Sequence, residues 1–154
     1  MKNLIGTYEC KTDSKGRVML PAALKKQMLS FLDDGFILKR SVFSDCLELH
    51  PKSEWDVLMK QVDKLNRFKK KNIDFIRLFT AGVKLIETDS SARIQLSKDL
   101  VEFAKISKHV VLSCSVNVIE IWDKDKYEQV LKDASADFAE LAEEVMGDAQ
   151  TNEE

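Results

Sequence analysis

The sequence predicts a mainly β protein with peripheral α-helices, an α+β chain built from two divergent copies of one small module. Three observations carry that expectation. First, residues 12–24 read T-D-S-K-G-R-V-M-L-P-A-A-L and residues 88–100 read T-D-S-S-A-R-I-Q-L-S-K-D-L, so Thr12, Asp13, Ser14, Arg17, Leu20 and Leu24 meet identical residues 76 positions later. Second, the order of later features is kept. Gly35-Phe36-Ile37-Leu38 returns as His109-Val110-Val111-Leu112, Leu47-Glu48-Leu49 as Ile119-Glu120-Ile121, and Trp55 as Tyr127. Third, short runs in each copy alternate apolar and polar residues at the period of two that marks a half-buried strand.

Each copy opens on an extended stretch, Gly6 to Cys10 or Gly82 to Ile86, followed by a polar turn at Asp13 to Gly16 or Asp89 to Ala92. The strand Arg17-Val18-Met19-Leu20 or Arg93-Ile94-Gln95-Leu96 comes next. A short helix then begins. Pro21 suits its first position, having no N–H to leave unpaired, and Ser97 suits the N-cap. Leu24, Met28 and Phe31 form its inner stripe in the first copy; Leu100, Phe103 and Ala104 do so in the second. Two further strands are expected near 36–41 and 46–49, and near 109–114 and 116–122. An amphipathic helix closes each copy: Trp55, Leu58, Val62 and Leu65 at helical spacing, then a longer stripe Tyr127, Val130, Ala134, Phe138, Leu141 and Val145 running to about Met146. Asn66 to Leu78 reads as helical and carries Lys69-Lys70-Lys71, either a solvated face or a phosphate contact.

The expected organisation is thus a first module with its closing helix over 1–65, a connecting basic helix over 66–78, a second module with a longer C-terminal helix over 79–146, and an acidic flexible tail over 147–154. A module of about 50 residues with four short strands buries little apolar surface alone. The two copies are therefore expected to share one core about an internal pseudo-twofold axis. The surplus stripe Phe138-Leu141-Val145 would cover either the preceding domain or a neighbouring subunit.

Composition narrows the function classes. The formal net charge of -2 conceals an uneven distribution, because residues 1–122 carry 21 basic against 15 acidic side chains and residues 123–154 carry 3 against 11. A mildly basic body with an acidic end is compatible with nucleic acid, since backbone recognition depends on where positive groups lie. No apolar run reaches the roughly 20 residues that span a bilayer, and the first residues lack a signal peptide's apolar stretch, so a cytoplasmic protein is expected. Cys10, Cys46 and Cys114 are far apart with no C-x-x-C pair, and only His50 and His109 supply imidazoles. No metal site, cofactor or disulfide framework is expected. Cys46 and Cys114 read as small buried hydrophobes. Trp55, Trp122, Phe75 and Phe79 read as core or subunit-contact residues before stacking platforms. No phosphate-binding glycine loop occurs, and Asp13, His50, Asp89 and His109 compose no nucleophile, base and orienter, so no catalytic residue is assigned.

The repeated D-x-x-x-R carries the functional argument. Asp13 can accept hydrogen bonds from backbone N–H groups of its own turn, Gly16 permits a left-handed conformation, and Arg17 leaves the turn in a fixed direction. Its planar fork can pair with Asp13 in a purely structural clasp, or face phosphates or a guanine edge. Lys11 and Lys15 join it in a basic cluster to which Lys39 and Arg40 are candidate additions.

Asp13-Ser14-Lys15-Gly16-Arg17 with Leu20-Pro21, Cys46-Leu47-Glu48-Leu49-His50-Pro51 with Glu54-Trp55, Thr88-Asp89 with Arg93, and Glu120-Ile121-Trp122 resemble the MraZ family of bacterial transcriptional regulators, from about Leu4 to Tyr127. That resemblance implies two AbrB-like (SpoVT-AbrB) swapped-hairpin modules forming a pseudo-twofold β-barrel. It also implies a nucleoid-associated, sequence-specific regulator of the division and cell-wall operon, a ring-like homo-oligomer binding short direct repeats of double-stranded promoter DNA. No membrane or small-molecule substrate is implied as a partner. By the same resemblance Arg17 and Arg93 are base or phosphate readers, Lys15 a neighbouring contact, and Asp13 and Asp89 their organisers. The family pattern is D-x-x-G-R in both halves. Here the second half has Ala92 where glycine is usual, Ser91 in place of Lys15, and Ser97 where proline is usual, so the second turn is expected to differ in shape. The alternative is an antitoxin-like or protein-interaction module on the same fold, its Asp–Arg turns purely structural.

Overall fold

The structure is a computed structural model and describes residues 3–147; the expected acidic tail lies, beyond Gly147, outside the described residues. The chain divides into two compact units, Met1–Lys124 and Asp125–Glu154.

In the first unit the two copies exchange strands. β1 (Thr7–Lys11) pairs antiparallel with β7 (His109–Ser115), and β5 (Lys84–Ile86) pairs with β3 (Phe36–Arg40). Each copy's opening strand therefore finds its partner in the other copy. β3 also pairs with β4 (Leu47–Pro51), β7 with β8 (Val118–Asp123), and β4 meets β8 at the seam. The resulting sheet order, β1-β7-β8-β4-β3-β5, reads the same from either end once each strand is exchanged for its twin. The register locates the twofold relation. Leu47↔Ile121, Glu48↔Glu120 and Leu49↔Ile119 centre it on the Glu48–Glu120 pair. β2 (Arg17–Met19) and β6 (Arg93–Gln95) form a separate two-stranded ribbon, Arg17↔Gln95, Val18↔Ile94 and Met19↔Arg93, centred on Val18–Ile94.

The closed barrel is corrected by this topology. The six-stranded sheet is open, and β1 joins the ribbon only through the bridge Thr12↔Val18. The ribbon strands are three residues long, and only the central Val18 and Ile94 are buried, so each offers a single core residue rather than a second sheet face.

One core serves both copies. Val18, Leu20, Leu24, Met28, Phe36, Leu38, Leu47 and Leu49 pack in the same cluster as their counterparts Ile94, Leu96, Leu100, Ala104, Val110, Leu112, Ile119 and Ile121. Leu24 and Met28 come from or just beyond α1 (Ala22–Gln27), Leu100 and Ala104 from α4 (Lys98–Ala104). Ser97 is the N-cap of α4 as expected; Pro21 is the N-cap of α1, one residue earlier than its assigned place, because its ψ of 144° is extended. Cys46 is fully buried and its thiol is pushed up to about 12, first by burial, while Cys114 is only half-buried.

α2 (Lys52–Asp63) buries Trp55, whose ring stacks on Phe79 of α3 (Lys70–Thr80) at 5.8 Å between centroids. The connecting helix starts at Lys70 rather than Asn66. Asn66 instead makes a turn, its Oδ1 accepting from the Phe68 N–H at 3.0 Å and its carbonyl from Asn72 Nδ2 at 2.9 Å. The single long C-terminal helix is also corrected: α5 (Lys124–Ser135) and α6 (Phe138–Met146) are separate, with Asp137 as N-cap of the second. Val130, Phe138, Leu141 and Val145 on these helices are exposed. No helix among the described residues is long and apolar enough to cross a membrane.

Candidate nucleic-acid interface

Both Asp–Arg turns are built by the same local bonds. Asp13 Oδ1 accepts from the backbone N–H groups of Lys15 and Arg17, each at 2.9 Å, and Oδ2 accepts from Arg17 Nε at 2.7 Å. The main chain closes beneath, with Asp13 N–H donating to the Arg17 carbonyl at 2.9 Å and Gly16 N–H to the Asp13 carbonyl at 3.1 Å. In the second copy Asp89 Oδ1 accepts from Ser91 and Arg93 N–H at 2.9 Å, and Oδ2 from Arg93 Nε at 2.8 Å. The expected difference in turn shape is thus overturned. Ala92 takes the left-handed conformation itself, φ 59° against 76° at Gly16, because its N–H and that of Arg93 are both held by Asp89. Three hydrogen bonds to one carboxylate outweigh the roughly 1–2 kcal/mol that an L-residue loses there.

The bond from the Arg17 N–H is the main reason the Asp13 carboxyl lies below the usual aspartate range, and the Arg93 N–H does the same for Asp89. A carboxylate depressed in the folded state stabilises the turn above its unfolded pKa and stops doing so as pH falls through the lower folded value. Both turns should therefore hold unchanged from pH 7 to pH 5 and open only below the ordinary aspartate pKa of about 3.9. The Nε–H resonances of Arg17 and Arg93 report this directly; their loss between pH 7 and pH 5 would contradict it.

The fold then sets the two turns side by side. Leu96 N–H donates to the Gly16 carbonyl at 3.0 Å and Leu20 N–H to the Ala92 carbonyl at 2.9 Å, so each turn is clamped by the strand end of the other copy. Arg93 Nη1 lies 4.0 Å from Asp13 Oδ2, which places Asp13 between both guanidinium groups. The side chains of Arg17 and Arg93 keep 27% and 30% of their surface open, and each meets its own aspartate through Nε, leaving the Nη donors of the fork. Lys15 and Lys11 are exposed, Lys15 in the first turn and Lys11 at the β1 end leading into it.

Lys39 and Arg40 do not join this cluster. Lys39 is buried: its Nζ donates to the Arg40 carbonyl, lies 3.6 Å from Glu48 Oε1 and stands 4.4 Å above the Phe79 ring. Phe36 and Leu38 face the shared core, while Ile37 and Lys39 face the other side of the sheet, where Phe79 of α3 covers Lys39. The alternation holds, but the face to which it turns Lys39 is covered and not solvated. Arg40 lies over Phe103 of α4, 5.1 Å from the ring centroid, and half-buried.

Gln95 is the residue that sequence reading passed over. From the second copy's strand it donates through Nε2 to the Lys15 carbonyl at 2.6 Å, bracing the first turn. Its twin position is Met19, which is exposed, so only the first turn has this brace. Nothing local marks Gln95; it matters only because β2 and β6 pair. A methyl at Gly16 would stand 3.3 Å from the Leu96 carbonyl and 3.4 Å from Gln95 Nε2. Gly16→Ala is expected to cost about 1–2 kcal/mol, read as a lower denaturant midpoint, with the turn retained as Ala92 retains its own. A loss much larger than that would mean the two turns are not equivalent.

Comparison with known proteins agrees with this duplicated architecture. The family model described as "MraZ protein, putative antitoxin-like" matches twice, over residues 4–78 and 79–148. The chain is 65% identical over 147 residues to a protein of Christiangramia forsetii named Transcriptional regulator MraZ, covering 96% of this chain and 95% of that one. It is 58% identical over 153 residues to the protein of the same name from Flavobacterium psychrophilum, covering 99% and 98%. A third relative so named, from Bacteroides thetaiotaomicron, is 32% identical over 149 residues, covering 96% and 95%.

Proposed function

Because the chain belongs to the MraZ family, whose similar curated members are named transcriptional regulators, we propose that it reads double-stranded DNA with the paired Asp–Arg turns. The observation that carries this reading is the side-by-side placement of Arg17 and Arg93. Two guanidinium groups are oriented by Asp13 and Asp89 at adjoining turns beside one short antiparallel ribbon. A two-stranded ribbon is narrow enough for the major groove, where an arginine fork matches guanine O6 and N7 or the flanking phosphates. Lys15 and Lys11 supply phosphate contacts on the first turn. The second turn carries Ser91 and Glu87 at those positions, so its contact is the weaker one.

In this reading the modules over 1–65 and 79–146, joined by 66–78, form one reading head. Several heads in a ring-like homo-oligomer engage short direct repeats in the promoter of the division and cell-wall operon, in the nucleoid of the cytoplasm. The test is footprinting of the purified protein on its own upstream region, with Arg17→Ala beside it. The variant is expected to lose about 1–3 kcal/mol of specific affinity while circular dichroism and oligomer mass stay unchanged. An unaltered footprint would remove Arg17 from the reading.

The family description favours a second reading, an antitoxin-like module in which the turns are structural clasps. It forecasts an unaltered footprint for Arg17→Ala and a stoichiometric complex with a protein toxin.

A further inference from the structure

A cavity of about 290 Å³ opens between β3, α3 and α4, away from the turns, and its lining is chemically divided. The walls are the rings of Phe75, Phe79 and Phe103, and the mouth is Val42 and Leu78, both exposed. The base holds two cations, Lys39 and Arg40. Lys39 is neutralised by Glu48 at 3.6 Å. Arg40 is not neutralised in the same way: among the described residues its guanidinium makes no ion pair within 4.0 Å, and its Nε is buried with no hydrogen-bond partner. Asp99 and Arg40 both approach Gly82, yet the near partner of Asp99 is Lys84, at 4.0 Å.

Arg40 thus lines the cavity as a cation without an ion pair, and pockets that are mostly apolar with a few placed polar groups are the usual form of small-molecule sites. We propose that this cavity is a binding site for a small organic monoanion, a carboxylate on an aromatic or short aliphatic body. The carboxylate is received by Arg40, the ring or chain lies against Phe75, Phe79 and Phe103, and one negative charge balances the one cation that Glu48 leaves over. A phosphate monoester, carrying up to two charges and more water, fits an apolar chamber with one unbalanced cation less well. The site joins β3 of the first copy to α4 of the second through the connecting helix α3, so its occupant braces both copies. This inference does not rest on DNA reading, because no residue of the turns lines the cavity.

The test is calorimetric titration of the purified protein with 3-phenylpropanoate, with 3-phenylpropan-1-ol as the uncharged match and inorganic phosphate as the rival anion. The acid is expected to bind once per chain with a dissociation constant of about 1 mM or tighter, as about eleven heavy atoms of ordinary efficiency allow. The alcohol and phosphate should bind at least about tenfold more weakly, in line with the strength of charge-assisted bonds. Arg40→Met should weaken the acid by a similar factor and leave the alcohol unchanged. Leu78→Trp, at an exposed position that does not endanger folding, should block both. Equal affinity for acid and alcohol, undiminished binding by Arg40→Met, or no saturable heat with the wild-type protein would each overturn the proposal. So would finding that Arg40→Met changes only the oligomer mass, since the cavity would then be a subunit seat.

Discussion

Cutting the chain between Leu78 and Phe79 is expected to leave neither half folded as a monomer. In residues 1–78, β1 loses β7, its five-residue ladder from Thr7↔Ser113 to Lys11↔His109. β2 loses β6, and β4 loses its seam with β8. What remains paired is the hairpin β3–β4 and the lone bridge Thr12↔Val18, and an isolated hairpin is marginal in water. The core divides as badly, because Val18, Leu24 and Leu47 lose Ile94, Leu100 and Ile119 from the one cluster they share. The full stability of an ordinary domain, about 5–15 kcal/mol, is at stake. One route back to structure exists: two copies of a half can exchange strands as the two halves do here. Folding should then depend on concentration. The measurement is far-UV circular dichroism with sedimentation, at several concentrations and after mixing the halves. A half that melts cooperatively as a monomer at a concentration-independent temperature would contradict the shared core.

Replacing both arginines, Arg17→Ala with Arg93→Ala, is expected to abolish specific DNA binding and keep the fold. Each guanidinium that contacts a base edge is worth about 1–3 kcal/mol, so the pair together spans roughly 2–6 kcal/mol if the terms add. The geometry says that they do not quite add. Asp13 is bonded to Arg17 at 2.7 Å and lies 4.0 Å from Arg93, so removing one arginine frees that carboxylate toward the other. Groups sharing a partner couple by about 0.5–3 kcal/mol. The first turn, with Lys11, Lys15 and the Gln95 brace, should account for the larger single effect. A double-mutant cycle by fluorescence anisotropy at fixed salt measures all three quantities. Additive losses would mean that the turns act separately, and a larger loss from Arg93 than from Arg17 would reverse the assigned order.

Much of this was legible in the residues. The 76-residue repeat, the alternation in Val18 to Leu20 and Ile94 to Leu96, and the inner stripe of Leu24 and Leu100 all announce elements that the structure contains. Such signals are readable because they come from short-range rules of side-chain spacing. Position within the sheet was not legible. Lys39 reads as an outward cation from its own strand, and only the flanking β4 and β5, with Phe79 above it, make it a buried partner of Glu48. At Ala92 the misleading signal was local. Alanine argues locally against a left-handed turn, and the hydrogen bonds that impose one come from Asp89, whose twin already showed the pattern at Asp13.

The sequence by itself determined the duplicated elements and the inside of each Asp–Arg turn, since the bonds that Asp13 and Asp89 accept all lie within five residues. Tertiary structure alone decided that β1 pairs with β7, that the two turns stand together with Asp13 between two arginines, and that Gln95 braces the first. Those relations join residues 80 to 106 positions apart. Burying one apolar core across two copies, too small to fold separately, is what brings them together.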